Sequence, residues 1–351
     1  MKIMSKIYIN SIKQISAQQP LVDDWFEQPV FYSDPYIRAI EPDYKQFFTP
    51  NEARRFGKIL KRALLVSRQA MSASGVSQPD AIITGTGLGC IENTEIFLDK
   101  LVREGEELLN PTHFMQSTHN TISSLIAIDA KCKAYNSTYA HKGVSFECAL
   151  QDAFMQLNHR KDAACHVSTA LVGAHDEMTP AYFTLLKKAG YLGKPNQTFA
   201  GETAVAMMLS TEKTANTLCE IETVEKMYGR NVETGHAPSL QPMDINYIMV
   251  GTNGNPENDQ IYFENCAKLF PNIPLLQYKN IFGESYTAPA LGVYAATVCL
   301  QRGEIPEHLK ITNTNNNVNK IMCYNHFEGK NHTFILLSKK QLNHSSDRCI
   351  K

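Results

Sequence analysis

The chain has 351 residues, with 34 Lys and Arg set against 35 Asp and Glu and a formal net charge of −1 at pH 7. That length suits one large α/β domain or two intimately packed halves, and it is short for three domains. The balanced, interspersed charge excludes the basic footprint of a nucleic-acid binder and a polybasic membrane patch.

Taken in order, Lys6 to Ile12 alternates well enough for a strand. Residues 13–50 are rich in Pro, Asp and aromatic residues and read as a long irregular excursion. A helix is expected from Asn51, as its cap, to about Ser74, with Phe56, Ile59, Leu60, Ala63, Leu64 and Met71 on its apolar side. Ala81 to Thr84 is a short buried strand, and Gly85-Thr-Gly-Leu-Gly89 follows it. That run has the spacing Gly-x-Gly-x-Gly rather than Gly-x-Gly-x-x-Gly, and no acidic residue ends a strand at the distance a ribose would need. It therefore reads as a strand-to-helix turn with close backbone approach, and no nucleotide cofactor is expected. A helix from Glu92 to about Glu104, a loop over residues 110–120 and a helix from Thr121 to Lys133 complete this stretch.

Residues 136–153 then form a strand, a tight turn at Gly143 and a helix. Phe146, Ala149, Leu150, Ala153, Phe154 and Leu157 make one apolar helical face, and Ser145 stands where a hydroxyl can cap the helix start. A strand-turn-helix elbow is a common mount for a nucleophile, because the helix N-terminus lowers a thiol's pKa and offers free N–H groups to an oxyanion. Here the tip is Gly143, which has no side chain to attack with. Cys148, on the helix body, reads as a structural thiol, and His141 and Lys142 as solvent- or interface-facing residues. Beyond the elbow, strands are expected at Ala163–Gly173 and Gly201–Leu209, with a short helix at about 179–189 between them.

The second half repeats the order in shortened form. It has strands at Glu220–Met227, Ile245–Val250, Leu275–Tyr278 and Thr333–Leu337, and helices at Glu257–Phe270 and Glu284–Leu300. Two weakly similar halves, 1–212 and 213–351, packed as one compact unit imply a layered α/β fold. Nine cysteines, at 90, 132, 148, 165, 219, 266, 299, 323 and 349, include no Cys-x-x-Cys pair. That usage fits buried reduced thiols in the cytoplasm rather than a disulfide framework or zinc site. His113 and His119 share a loop with no carboxylate at ligand spacing, so no metal is expected with His175. The N-terminus lacks the apolar core of a signal peptide, and no apolar run approaches the roughly 18 residues of a membrane span. A soluble cytoplasmic protein is the expectation.

The order of these segments resembles that of the β-ketoacyl synthases, condensing enzymes of the thiolase-like fold (layered αβαβα, two similar halves). The likeness extends over most of the chain. It is best from Ala81 to Leu209, through Ala81–Gly89, Ser124-Leu-Ile-Ala-Ile128 and Gly201-Glu-Thr-Ala-Val205. In the second half, Asp244–Asp259 looks like the family segment ending in His-Gly-Thr-Gly-Thr and an Asp, and Lys279-Asn-Ile-Phe-Gly-Glu284 looks like its Lys…Gly-His motif. The resemblance implies a Cys carrying the acyl chain and two His residues serving decarboxylation and the oxyanion. Those three positions fall on Gly143, Gly251 and Glu284, while the motif Lys remains as Lys279. The family's Gly-rich C-terminal segment is replaced by Asn325-His-Phe-Glu-Gly-Lys330.

A synthase without its Cys resembles the chain-length factors of type II polyketide and aryl-polyene or flexirubin-like pigment systems. The resemblance implies a non-catalytic subunit that supports an active β-ketoacyl synthase and works with acyl carrier protein, pairing with that synthase or with itself. Dimer contact would run through the strand before the elbow, with Asn136, Thr138 and Ala140. Phe114 and Met115 are the candidates for lining an acyl pocket, and ordinary core positions are the other reading of both. The alternative function is an acyltransferase or malonyl decarboxylase that uses His141, Lys142 or Glu284.

Overall fold

The computed structural model describes residues 6–106, 109–158, 167–229, 244–313 and 317–340. In chain order, β1 (Ile7–Ile15) is followed by a long excursion, then α1 (Pro50–Arg55), α2 (Lys58–Ser74), β2 (Ala81–Gly85), α3 (Ile91–Glu104), α4 (Pro111–Ser117), α5 (Thr121–Asp129), β3 (Tyr135–Tyr139), α6 (Ser145–Leu157), β4 (Thr169–Asp176), α7 (Pro180–Lys188) and β5 (Thr203–Ser210). The second half holds β6 (Cys219–Tyr228), β7 (Tyr247–Val250), α8 (Pro256–Leu269), β8 (Leu275–Gln277), the short α9 (Lys279–Phe282), α10 (Pro289–Arg302), β9 (Lys320–Phe327) and β10 (Asn331–Lys339).

The strands lie in the order β3-β2-β4-β5-β1-β6-β10-β9-β7-β8. Read outward from the β1–β6 junction, each half runs through the same path: first strand, fifth, fourth, second, third. The matching pairs also agree in direction. β2 is parallel to β3 and β4, β7 is parallel to β8 and β9, and β5 and β10 run antiparallel to their neighbours.

Period-2 alternation sorts the side chains into layers. Ala81, Ile83, Ala170, Val172, Val205, Met207, Ile321, Cys323, Ile335 and Leu337 face a central core shared with α6 and α10. Ile82, Leu171, Ala204, Ala206 and Met208 face outward onto α2 and α5. Ile248, Val250, Met322, Tyr324, Phe334 and Leu336 face outward onto α8. Helices therefore cover both outer faces and fill the space between the half-sheets, which is the thiolase-like layering. The 13–50 excursion straps α10, with Trp25 buried against Phe282 and Tyr294 at ring separations of 5.3 and 5.9 Å.

Several local expectations are corrected. The helix expected from Asn51 is two helices. Thr49 and Glu52 form a reciprocal capping box for α1, and the chain turns extended at Phe56 before α2 starts after Gly57. Residues 111–117 are helical rather than a loop, started by the Asn110 side chain accepting from the Thr112 N–H and by Pro111 at the first position. The helix expected from Glu284 begins at Pro289, leaving Glu284 on a connecting segment. β9 was not anticipated: the polar, Asn-rich run before it hides a strand whose Ile321–Tyr324 core is fully apolar. Residues 163–166 of the expected Ala163–Gly173 strand lie outside the described residues, as do Cys165 and Cys349, and the remainder forms β4. The seven described cysteines are free, and all but Cys132 are buried.

The glycine run after β2 is a packing device. A β-carbon on Gly85 would sit 2.5 Å from the Ser145 backbone, and one on Gly87 would sit 2.4 Å from the Tyr286 side chain. The loop wraps the buried Asp176 carboxylate, whose Oδ1 accepts from Thr86 Oγ1, Gly87 N and Leu88 N at 2.8–3.0 Å. Among the described residues no helix is long and apolar enough to cross a membrane.

Candidate functional site

β3 delivers the chain to a single 3-10 turn over Lys142–Val144, and α6 leaves from Ser145. Ser145 does not cap the helix as expected. It is the first helical residue, and its Oγ accepts from His141 N at 2.7 Å and donates to Lys142 O at 2.7 Å, tying the turn closed. The left-handed residue of the turn is Lys142, at φ +47°, not Gly143. Glycine at 143 answers a different demand: a β-carbon there would lie 2.3 Å from Cδ2 of Phe327 and 2.9 Å from its Cγ and Cε2.

The segment carrying Phe327 also supplies Asn325. Its Nδ2 donates to Glu147 Oε1 at 2.6 Å and to Gly143 O at 3.4 Å, so the end of β9 is stitched to the elbow. Its Oδ1 accepts from Tyr262 Oη at 2.9 Å. Gly251 adjoins the same group. A β-carbon on it would meet Tyr262 Oη at 2.6 Å, Asn325 Oδ1 at 3.1 Å and Tyr278 Oη at 3.2 Å. Two tyrosine hydroxyls therefore fill the space a side chain at 251 would take.

Glu284 is bound nearby. Its Oε2 accepts from Lys279 Nζ at 2.8 Å and from Asn253 Nδ2 at 2.9 Å. The Asn253 loop is held by Asp259, whose carboxylate accepts from Asn253 N and Gly254 N at 2.9 and 2.8 Å. Sequence positions 143, 251, 279 and 284 thus converge at the inner ends of their strands, linked through Asn325 and Asn253.

Glu147 is the residue that sequence reading missed. It lies wholly buried in the first turn of α6. Burial pushes its carboxyl up to about 7 against the opposing help of its own backbone N–H, Asn325, Lys226 and Lys279. Its Oε2 and the hydroxyl of Tyr278 have no hydrogen-bond partner. An acidic residue in the first turn of a helix, flanking its apolar face beside Phe146, was the available signal. Cys148, buried beside it, lies 2.8 Å from Lys226 Nζ.

The remaining candidates are elsewhere. Phe114 and Met115 are 55% and 68% exposed on α4, not core positions, with Phe114 against Phe97 at 5.3 Å. Asn136 and Ala140 are exposed and Thr138 half-buried along β3, an edge of the sheet. Thr86 N donates to Tyr139 O, so Tyr135, Ser137 and Tyr139 turn their backbone groups toward β2, while Asn136, Thr138 and Ala140 turn theirs outward. His141 and Lys142 are exposed. His113 Nδ1 contacts Asn93 Oδ1 at 3.1 Å, and His119 packs on Gly89. His175 is buried with neither ring nitrogen bonded, and burial pushes it down to about 3. Among the described residues no group of three or more His, Cys, Asp or Glu side chains could hold a metal ion.

A layered fold of two mirrored halves, with an elbow at the junction of strand and central helix, defines the thiolase-like class. The model of the β-ketoacyl synthase N-terminal domain matches residues 34–258, and the chain belongs to that family. Solved structures agree in fold over nearly the whole chain. The ishigamide ketosynthase/chain length factor superposes with a TM-score of 0.77 at 14% identity, covering 96% of this chain and all of that one. A type II polyketide synthase acyl-carrier protein in complex with its ketosynthase bound to the hexaketide gives 0.77, 14%, 96% and 100%. A ketosynthase in complex with its chain length factor from Xenorhabdus doucetiae gives 0.72, 15%, 96% and 98%. No curated protein sequence is significantly similar to the chain.

Proposed function

We propose that the chain is a non-catalytic, chain-length-factor-like subunit of a β-ketoacyl-[acyl carrier protein] synthase, acting in polyketide, polyene-pigment or fatty acid chain elongation in the cytoplasm. One observation carries the reading. None of the three family positions bears a nucleophile or an imidazole: two are glycines, and the third is a carboxylate already engaged by Lys279 and Asn253. A glycine cannot hold a thioester, and a carboxylate opposes the charge of a forming enolate.

What the chain retains is surface and core. β3 offers outward-facing backbone groups at Asn136, Thr138 and Ala140, and an edge of this kind is a template for pairing with another strand. The exposed apolar side chains of Phe114 and Met115 lie on α4, which packs against α5, the helix that precedes β3. Contiguous exposed apolar patches mark interaction surfaces, and Phe114 and Met115 are adjacent. In this reading the strand pairs with an active synthase subunit, or with a second copy of this chain. Phe114 and Met115 border the acyl pocket of the assembled pair, and acyl carrier protein delivers the growing chain to the active partner.

The test is intact-protein mass spectrometry of the isolated chain mixed with malonyl- and acyl-loaded acyl carrier protein. No covalent adduct and no decarboxylation are expected. An acyl adduct on this chain, or turnover that survives removal of every trace of intact synthase, would establish the alternative of an enzyme using non-standard residues.

A further inference from the structure

The loss of a thiol at the elbow is not the only barrier to chemistry there. We infer that Phe327 is a built-in plug, interlocked with Gly143, that closes the nucleophile's position and makes glycine obligatory at the elbow tip. This concerns how the elbow is closed. It stands whether or not the chain works beside a partner.

Three observations carry it. The approach is too close for any side chain, with a β-carbon at 143 lying 2.3 Å from the ring's Cδ2 and 2.9 Å from Cγ. Because Cγ is the root of the ring, a ring flip about χ2 does not relieve the contact, and χ1 must change as well. The backbone of Phe327 is also fixed. It ends β9 at a tight hairpin in which Glu328 and Gly329 are left-handed, at φ +54° and +62°, and Lys330 N donates back to Phe327 O at 3.2 Å. Two residues earlier, Asn325 pins the same strand to Glu147 and to the carbonyl of Gly143 itself. Finally, the ring has an aromatic neighbour in Tyr286, which meets it edge-on at a centroid distance of 6.2 Å. The tip of the elbow is therefore the rigid floor of an aromatic contact supplied by the second half, rather than a vacant pocket.

The consequence is that restoring a nucleophile requires two changes. Substituting Gly143→Cys alone drives a side chain into Phe327. Pairing it with Phe327→Ala supplies the volume and opens a path to the elbow.

A double-substitution cycle on the full chain tests this. Gly143→Ala is expected to lower the thermal midpoint in the native background and to have little effect, or the opposite one, when Phe327→Ala is present. Gly143→Cys reads the same geometry chemically. With iodoacetamide, the thiolate sulfur bonds to the methylene carbon as iodide leaves, and fragmentation of the labelled peptide separates residue 143 from Cys148. The thiol introduced at 143 is expected to be labelled at least tenfold faster with Phe327→Ala than without it. Additive midpoint shifts for Gly143→Ala and Phe327→Ala would overturn the plug. So would equal labelling rates for Gly143→Cys with and without Phe327→Ala, because the ring would then be swinging aside freely. If Gly143→Cys fails to fold, the Gly143→Ala cycle alone decides.

Discussion

The two ends of the sheet are built on one plan and finished differently. In each half the third strand, β3 or β8, is the edge, and the chain leaves it for a central helix, α6 or α10. β8 is three residues long, and its free side is covered: Leu276 bridges Lys310, and Ile311 N donates to Leu275 O at 3.0 Å. β3 is longer, and among the described residues no strand covers its far side. The central helices differ as well. Every residue of α10 from Pro289 to Leu300 is buried, whereas α6 buries two carboxyls, Glu147 and Asp152, and leaves Met155 53% exposed. A sheet whose one edge is capped and whose other edge is bare directs association to the bare edge. The half with the bare edge is also the half that holds the elbow.

The largest effect is expected where the first half anchors its outer cover. Arg62 on α2 is 1% exposed and pairs with Glu41 at 2.5 Å and with buried Glu202 at 3.0 Å. Arg62→Ala leaves the buried Glu202 carboxylate without its cation, held only by the backbone N–H groups of Ala39 and Met178, and removing one partner of a buried pair costs roughly 3–5 kcal/mol. Denaturant unfolding should show that loss. A change below about 1 kcal/mol would contradict a role for this buried ion pair in anchoring α2.

Next comes Glu147, the wholly buried carboxyl of α6. Its folded value of about 7 exceeds its ordinary 4.5, so the folded state holds a proton that the unfolded state releases between those values. Stability therefore falls as pH rises from about 4.5 to about 7, and the loss persists above 7, approaching roughly 3 kcal/mol. Glu147→Gln should raise the unfolding free energy at pH 8 and change it little at pH 4.5. Equal effects at both pH values would contradict the buried, proton-holding state.

A smaller effect on the fold, but a decisive one on association, is expected at the bare edge. Thr138→Pro removes an outward-facing N–H and leaves the β2 ladder intact, so stability should change by about 1 kcal/mol or less. Affinity for a synthase partner should fall tenfold or more in a binding titration. Unchanged affinity would move the interface away from β3. Last, Phe114→Ala and Met115→Ala should leave unfolding within about 0.5 kcal/mol, as expected of exposed side chains. They should lengthen the products of a reconstituted synthase pair, as read by mass spectrometry.

Much of this plan is written locally in the sequence. The elbow was legible because Phe146, Ala149, Leu150 and Ala153 keep helical period beside a polar strand, and the second half because its apolar runs repeat the order of the first. What was hidden is hidden for physical reasons. The left-handed residue of the turn is Lys142 rather than the glycine beside it, and Ser145 ties the turn through the backbone of His141 and Lys142. The true constraint on Gly143 comes from β9, where Asn325 lies 182 positions away in sequence. No periodicity or spacing near the elbow could reveal a ring packed on it from there. β9 itself was masked by the polar run that precedes it, and α4 by a cap made from Asn110 rather than by an apolar face.

The central claim is that chemistry belongs to a partner while this chain supplies an edge and a pocket wall. It is tested most directly by co-expressing the chain with an intact β-ketoacyl synthase from the same genome and measuring the mass and activity of what co-purifies. The account predicts a 1:1 complex whose condensing activity and product length depend on this chain. A chain that purifies alone as an inert homodimer, leaving the synthase's activity and products unchanged, would contradict it.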